Sequence, residues 1–391
     1  MVRAVVIALL CVSWLLLGSP VDRWPCSQGY DESFYVATAM SLLWDRDTDL
    51  ENNLRAWGYT PSPPWYGVQS EFPLGTSLLL MPPLALMRGF DRMVDRATLC
   101  WRLGLYMTAL GLLGVLLAVR LLRAMGFSVD ESWCAVGVAF WGSPAPYWVL
   151  MAPGYSHAAS ILAVSAFCLA AWRVYKAPDL LGRWALASGL LGAVYLIRWA
   201  DVVIAVVLFP ALWRALATRR VVLPLVCFGM AMATLCMVQW AFWRVHLGYW
   251  YVCPQDLNLA RVAIIGSPYL EWFNPHWDRL WGNRNAILPY CPAFVLALAG
   301  FALSRPWRSR VRAAPLVALL VMAYLVLIPR EDGGAGMGAR RFTGALALMA
   351  VGIALGLSRL RRGRSGTFSA LVILSWAFSL WNLARWEGLS Q

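Results

Sequence analysis

Charged side chains are scarce in this chain: only 14% of its 391 residues are Asp, Glu, Lys or Arg, against about 25% in an ordinary soluble domain. That shortage excludes a freely soluble globular protein. No Cys-x-x-Cys pair occurs and none of the nine Cys has a His beside it, so no thiolate metal site is read. The glycine-rich stretch "GGAGMG" (333–338) lacks the Lys-Ser/Thr that closes a phosphate-binding loop and follows no strand, which excludes a nucleotide-binding loop of that kind. Long linkers, low-complexity tracts and solenoid repeats are missing too, so residues 1–391 are read as one domain.

What is abundant is hydrocarbon. The chain is 60% hydrophobic and carries 23 Trp. A spanning helix needs roughly 20 mainly apolar residues, and eleven segments fit, starting near residues 4, 101, 133, 156, 184, 200, 221, 286, 313, 342 and 368. The first, "AVVIALLCVSWLLLG", is read as a retained span rather than a signal peptide, because so much hydrophobic chain follows it. The run 74–90 is set apart, since Pro73, Pro82 and Pro83 interrupt it; it is expected to lie on or dip into the outer interface.

The net charge of +13 tests that count. Basic residues fall in short clusters between apolar runs, not on one face, so nucleic acid is excluded as a partner. Arg120 and Arg123; Arg173, Lys176 and Arg183; Arg214, Arg219 and Arg220; "RPWRSRVR" (305–312); and "RLRRGR" (359–364) all occupy one alternate set of loops. By the positive-inside rule those loops are cytoplasmic. The outer face then receives a long first loop (20–100), the turn "APGYSH" (152–157), "RWAD" (198–201), a second large loop (245–285) and "REDGGAGMGARR" (330–341). The expectation is an all-α polytopic membrane protein of about eleven spans, with interfacial helices in the first outward loop. Phe34 to Trp44 is one such amphipathic helix. Cys26, Cys100, Cys253 and Cys291 lie in or near outward loops, where one disulfide is open but unassigned.

The polar residues of interest gather on that outer face. Asp31 and Glu32 suit the first turn of a helix beginning near Ser33, and a carboxylate held where the loop meets the membrane suits a general base; both readings stand. "DRDTDLE" (45–51) imitates the start of a calcium loop, but Leu50 and Ala56 stand where Gly and Glu are required, so a solvated acidic turn is expected. Arg340 and Arg341 head a span on the side where basic residues are disfavoured; they are read as an anion clamp or as residues snorkelling to headgroups. Arg198 and Asp201 sit between two apolar runs, where charge is costly unless paired or bathed in a polar cavity, and are read as a mutual salt bridge or a substrate contact. His157, at a span end, joins the candidate site. The Trp- and Tyr-rich stretches 246–251 and 269–285 are read as an interfacial belt.

In this order the pieces resemble the GT-C class of integral-membrane glycosyltransferases, which includes protein O-mannosyltransferases and bacterial aminoarabinose transferases. "GYDESFYVATAMSLL" resembles their first-loop acidic motif, and "DRDTDLENN" with "EFPLGTSLLLMPPLAL" their acidic turn and the hydrophobic segment after it. "GLLGAVYLIRWADVVI" resembles the Gly-rich span that ends in Arg, "DGGAGMGARRFTGALALM" the late Gly-Gly to Gly-x-Arg loop, and "WGNRNAILPYCPAFVLALAG" the segment that re-enters the membrane.

The resemblance implies transfer of a sugar from a polyprenyl-phosphate donor to an acceptor (lipid, glycan or protein) on the outer, periplasmic face of a bacterial inner membrane. The implied reaction is a single inverting displacement. Asp31, with Glu32 beside it, would be the base, and Arg198, Asp201, Arg340, Arg341 and His157 the donor-phosphate or substrate set. Glu71 joins that set at a position where relatives often carry His or Lys. No protein metal site is implied, and a divalent cation stays open as a cofactor. A lipid or polyprenyl-sugar transporter, or a non-catalytic relative, are the alternatives; transporters usually place charges mid-span, in repeated halves.

Overall fold

The computed structural model describes residues 1–16, 30–56, 72–90, 96–217, 222–247, 278–281, 286–305, 309–327, 340–359 and 365–390, and among them every regular element is helical. The first half holds α1 (Val2–Leu16), α2 (Tyr30–Met40), α3 (Glu51–Ala56), α4 (Gly75–Phe90), α5 (Arg96–Met125), α6 (Val129–Trp141), α7 (Ser156–Lys176) and α8 (Leu181–Ile197). A 3₁₀ segment (Trp199–Leu208) leads into α9 (Phe209–Ala217), α10 (Val222–Leu247), α11 (Asp278–Trp281), α12 (Ile287–Tyr290), α13 (Pro292–Ser304) and α14 (Arg310–Leu327). A second 3₁₀ turn (Arg340–Ala345) leads into α15 (Leu346–Arg359) and α16 (Ser365–Ser390).

Seven of these stretches are long and apolar enough to cross a membrane: Thr98–Met125, Ser156–Lys176, Trp199–Ala217, Val222–Val245, Arg310–Leu327, Phe342–Arg359 and Gly366–Arg385. The other expected spans fall on the shorter helices α1, α6, α8 and α13. The protein is a multi-pass helical membrane protein, and among the described residues seven helices have the length and composition of a full span.

Packing follows composition. α15 is apolar on all sides and its residues Leu346 to Leu355 are all buried, as expected for a helix with no polar face. α13 crosses it at contact distance through small residues: a Cβ on Gly352 would sit 2.6 Å from the Ala297 carbonyl oxygen, and one on Gly300 would collide with the Gly352 carbonyl. Gly352→Leu is therefore expected to destabilise the bundle at the upper end of the ~1–3 kcal/mol that overpacking costs. A lower melting temperature in detergent checks this, with Gly189→Leu as the control, because nothing lies within 4 Å of a Cβ there.

The first long loop departs from expectation. A helix does form close to Phe34–Trp44, as α2 and a π turn (Ser41–Asp45), but every residue from Glu32 to Ser41 is buried, so it is not half-exposed. Three neighbours enclose it. Leu50 and Leu54 close on Phe34 and Ala37, Phe72 stacks on Phe34 and Tyr35 at 5.8 and 5.4 Å, and α4 lies alongside. α4 itself is continuous through Pro82 and Pro83 and buries Leu80, Leu84 and Met87, so tertiary packing outweighs the hydrogen bonds those prolines remove. The acidic turn is exposed and used for local capping: Ser41 Oγ donates to Asp47 at 2.6 Å, the Glu51 amide to Asp49 at 2.9 Å and Asn53 Nδ2 to Asp45 at 2.7 Å. Cys100 is disulfide-bonded and Cys291 is free; Cys26 and Cys253 lie outside the described residues.

The described members of the basic clusters meet at one end of the bundle. Arg183 donates to the Arg173 carbonyl at 2.8 Å, Arg214 to the Tyr175 carbonyl at 2.9 Å and Arg312 to the Ser304 carbonyl at 2.9 Å, while Arg310 stacks on Trp213 at 3.9 Å. These contacts close carbonyls left open at helix ends and complement the helix dipoles. The opposite end holds the start of α7, the end of α8 and the Arg340–Ala345 turn.

Candidate functional site

His157 lies in the first turn of α7, and Arg198 is the residue at which α8 stops and the 3₁₀ segment begins. They are 41 positions apart, yet Arg198 Nη1 lies 2.6 Å from His157 Nδ1. Guanidinium has no acceptor, so Nδ1 must accept and the imidazole is the neutral tautomer protonated at Nε2. Asp201, one 3₁₀ turn on, pairs with Arg198 Nε at 3.8 Å and accepts from Ser160 Oγ at 2.5 Å. Ser160 is three residues after His157 on the same face of α7. The result is a continuous buried chain, His157–Arg198–Asp201–Ser160, with Arg198 9% and Asp201 2% exposed.

Both readings of the Arg198–Asp201 pair thus keep a place. The salt bridge exists, but among the described residues it uses only Nε, His157 takes Nη1, and Nη2 has no described partner. A buried guanidinium with donors in reserve can receive a further anion. The Trp148 ring covers His157 at 4.4 Å and meets Tyr155 edge-on at 5.0 Å, giving the cation an aromatic wall. Trp148 Nε1 is buried with no hydrogen-bond partner among the described residues.

The Arg340–Ala345 turn docks on this chain. A Cβ on Gly344 would stand 2.6 Å from Ser160 Oγ and 2.8 Å from Asp201 Oδ2, so only glycine lets the turn approach so closely. Phe342, fully buried, anchors the turn edge-on against Phe294 at 5.2 Å. The backbone of Arg340 and Arg341 therefore begins a turn seated on Asp201; their side chains lie outside the described residues, as do Glu71 and 333–338. Gly344→Ala is expected to break the Ser160–Asp201 bond or lift the turn, at about 1–3 kcal/mol, read as a lower melting temperature in detergent that Ser160→Ala partly restores.

Asp31 and Glu32 stand in the first turn of α2, Glu32 at 4% exposure and Asp31 half-buried. A chain of contacts ties this end of α2 to Arg198: Phe34 and Tyr35 stack on Phe72, the Leu74 amide donates to Gln239 at 2.7 Å, and Gly75 abuts the Leu196 carbonyl and Ile197 amide just before Arg198. The starts of α2, α4 and α7 and the end of α8 share one end of the molecule. Among the described residues no group of three or more His, Cys, Asp or Glu converges.

Ser160, Gly344 and Trp148 are the members that sequence reasoning missed. The Ser at i+3 from His157 was the available signal. The aromatic stretches 246–251 and 269–285, read as a belt, fall outside the described residues except for the backbone of 246–247 and residues 278–281.

No protein-family model and no curated protein matches the chain by sequence. Among solved structures it is similar to ArnT from Cupriavidus metallidurans: 14% identity and a TM-score of 0.54 with the apo state, 15% and 0.56 with the form bound to undecaprenyl phosphate. Each alignment covers 95% of this chain and 62% of that one, so this chain spans less than two thirds of the ArnT length. The likeness extends over nearly all of this chain and shows that the two proteins share a fold.

Proposed function

We propose that the chain is a glycosyltransferase that takes a sugar from a polyprenyl-phosphate donor and passes it, with inversion, to a hydroxyl or amine acceptor on the outer face of a bacterial inner membrane. The observation that carries this reading is the buried Arg198, held by His157 and Asp201 at the end of the bundle opposite the basic clusters. A charge there needs a purpose beyond topology, because the positive-inside rule disfavours it. The fold it shares with a protein that binds undecaprenyl phosphate supports the same donor class.

In this reading Arg198, with Arg340 or Arg341 from the turn seated on Asp201, neutralises charge that develops on the departing phosphate. His157 holds the guanidinium in place, Trp148 covers His157, and Asp31 accepts the acceptor's proton beside the buried Glu32. The reading assigns no protein-bound metal and leaves Glu71 as a candidate contact to the donor. The disulfide at Cys100, just inside α5 where the first loop ends, suits an oxidising compartment outside the cytoplasm.

Sugar transfer from a radiolabelled polyprenyl-phosphate donor in proteoliposomes tests the proposal. New glycosidic product that depends on Arg198 and Asp31 supports it; movement of the donor across the bilayer without product favours a transporter, and neither outcome favours a non-catalytic relative.

A further inference from the structure

At the basic end, far from the site above, a polar hollow of about 930 Å³ opens between α5, α6, α7, α14 and α15. Its cations are Lys176, Arg312 and Arg359, and its carboxylate is Glu131. Glu131 is already engaged: it accepts from the Ser128 amide at 2.7 Å in a capping box and faces the positive end of α6. None of the three cations forms an ion pair among the described residues. Lys176 rests on the Trp172 ring at 4.9 Å, and Arg312 is positioned by the Ser304 carbonyl. The hollow therefore carries net positive charge inside walls, which scattered snorkelling residues would not give.

Its floor is apolar. Met125, Trp172, Tyr175 and Val311 also line a narrow crevice of about 50 Å³ that runs between the spans toward Cys168 and Val351. Phosphate-binding charge directly above a hydrocarbon slot matches a molecule with both parts. We propose that this basin holds the phosphate of an anionic membrane phospholipid between Lys176, Arg312 and Arg359, with the first carbons of its chain entering the crevice. The site is independent of the glycosyltransferase reading and stands or falls separately from it.

Lys176 is the only lysine in the chain, which makes it a specific reporter. The full-length protein in nanodiscs of phosphatidylcholine, with or without phosphatidylglycerol, is treated with an amine-reactive acylating reagent, and modification of Lys176 is followed by peptide mass spectrometry. A lysine introduced by Arg120→Lys, at an exposed position of the same end outside the hollow, corrects for the general surface charge. Phosphatidylglycerol is expected to slow Lys176 acylation about tenfold relative to that reference, since an anionic headgroup held against the ammonium keeps it protonated and covered. Arg359→Gln, at an exposed position, and Val351→Trp, which fills the crevice, should each remove most of the protection, while Arg120→Gln outside the basin should not. Equal rates in the two bilayers would overturn the proposal. Equal protection by inorganic phosphate in phosphatidylcholine alone would also overturn it, by assigning the basin to a free ion instead of a lipid.

Discussion

Asp31→Asn is expected to lower sugar transfer by about 10²–10⁴-fold, the usual contribution of a general base, while leaving the apparent KM for the polyprenyl-phosphate donor close to wild type. Successive residues on a helix point roughly 100° apart, so Asp31 and Glu32 cannot serve the same space from the first turn of α2. Glu32 is the enclosed one, at 4% exposure, and Asp31 the half-buried one. An acceptor arriving from the open side can reach Asp31; Glu32 points into the packing around α2. Glu32→Gln should therefore act mainly on stability, seen as a lower melting temperature in detergent, with the rate of the folded fraction changed much less than in Asp31→Asn. Radiolabelled transfer assays on both variants decide between them. Wild-type turnover in Asp31→Asn would sink its role as base, and a folded Glu32→Gln with the larger loss would exchange the two roles.

Much of this arrangement was legible because membrane burial leaves a strong trace in sequence. Among the described residues the predicted apolar runs are helical, and the described members of the basic clusters collect at one end. Arg198 and Asp201 were visible as charges too costly to bury alone. Tertiary distance was not legible. That His157 meets Arg198 depends on how α7 packs against α8, and a hydroxyl on an apolar helix gives no hint that Ser160 will satisfy a carboxylate from another segment. Gly344 carried no signal of its own in the sequence, and only the docked turn shows that its missing side chain matters. The enclosure of α2 escaped the pattern because its neighbours are Leu50 and Leu54 from the acidic turn, and Phe72 from the approach to α4. Periodicity reports which residues prefer to be buried; it does not report how many partners arrive to bury them.

Arg198→Ala is expected to fail for two separable reasons. Asp201, 2% exposed, would be left with Ser160 as its described partner, and breaking one member of a buried ion pair costs about 3–5 kcal/mol because the remaining charge is uncompensated. Arg198→Ala and Asp201→Ala alone should both give unstable protein, so loss of transfer in either says little about chemistry. The double variant Arg198→Met, Asp201→Asn removes both charges together, keeps a methylene stem against Trp148 and His157, and leaves Ser160 an amide to bond. Buried pairs replaced in this way are often no less stable than the original, so the double variant should melt near wild type, with a coupling energy of the size seen between residues in contact, about 0.5–3 kcal/mol or more. Its transfer rate is the decisive measurement. If Arg198 meets the donor phosphate, the stable double variant still lacks activity and binds the polyprenyl phosphate at least tenfold more weakly, the loss expected when one charge-assisted bond worth about 1.5–3 kcal/mol is removed. If the double variant is both stable and fully active, the pair is a structural rivet between α7, α8 and the Arg340–Ala345 turn, and the donor phosphate must be met elsewhere.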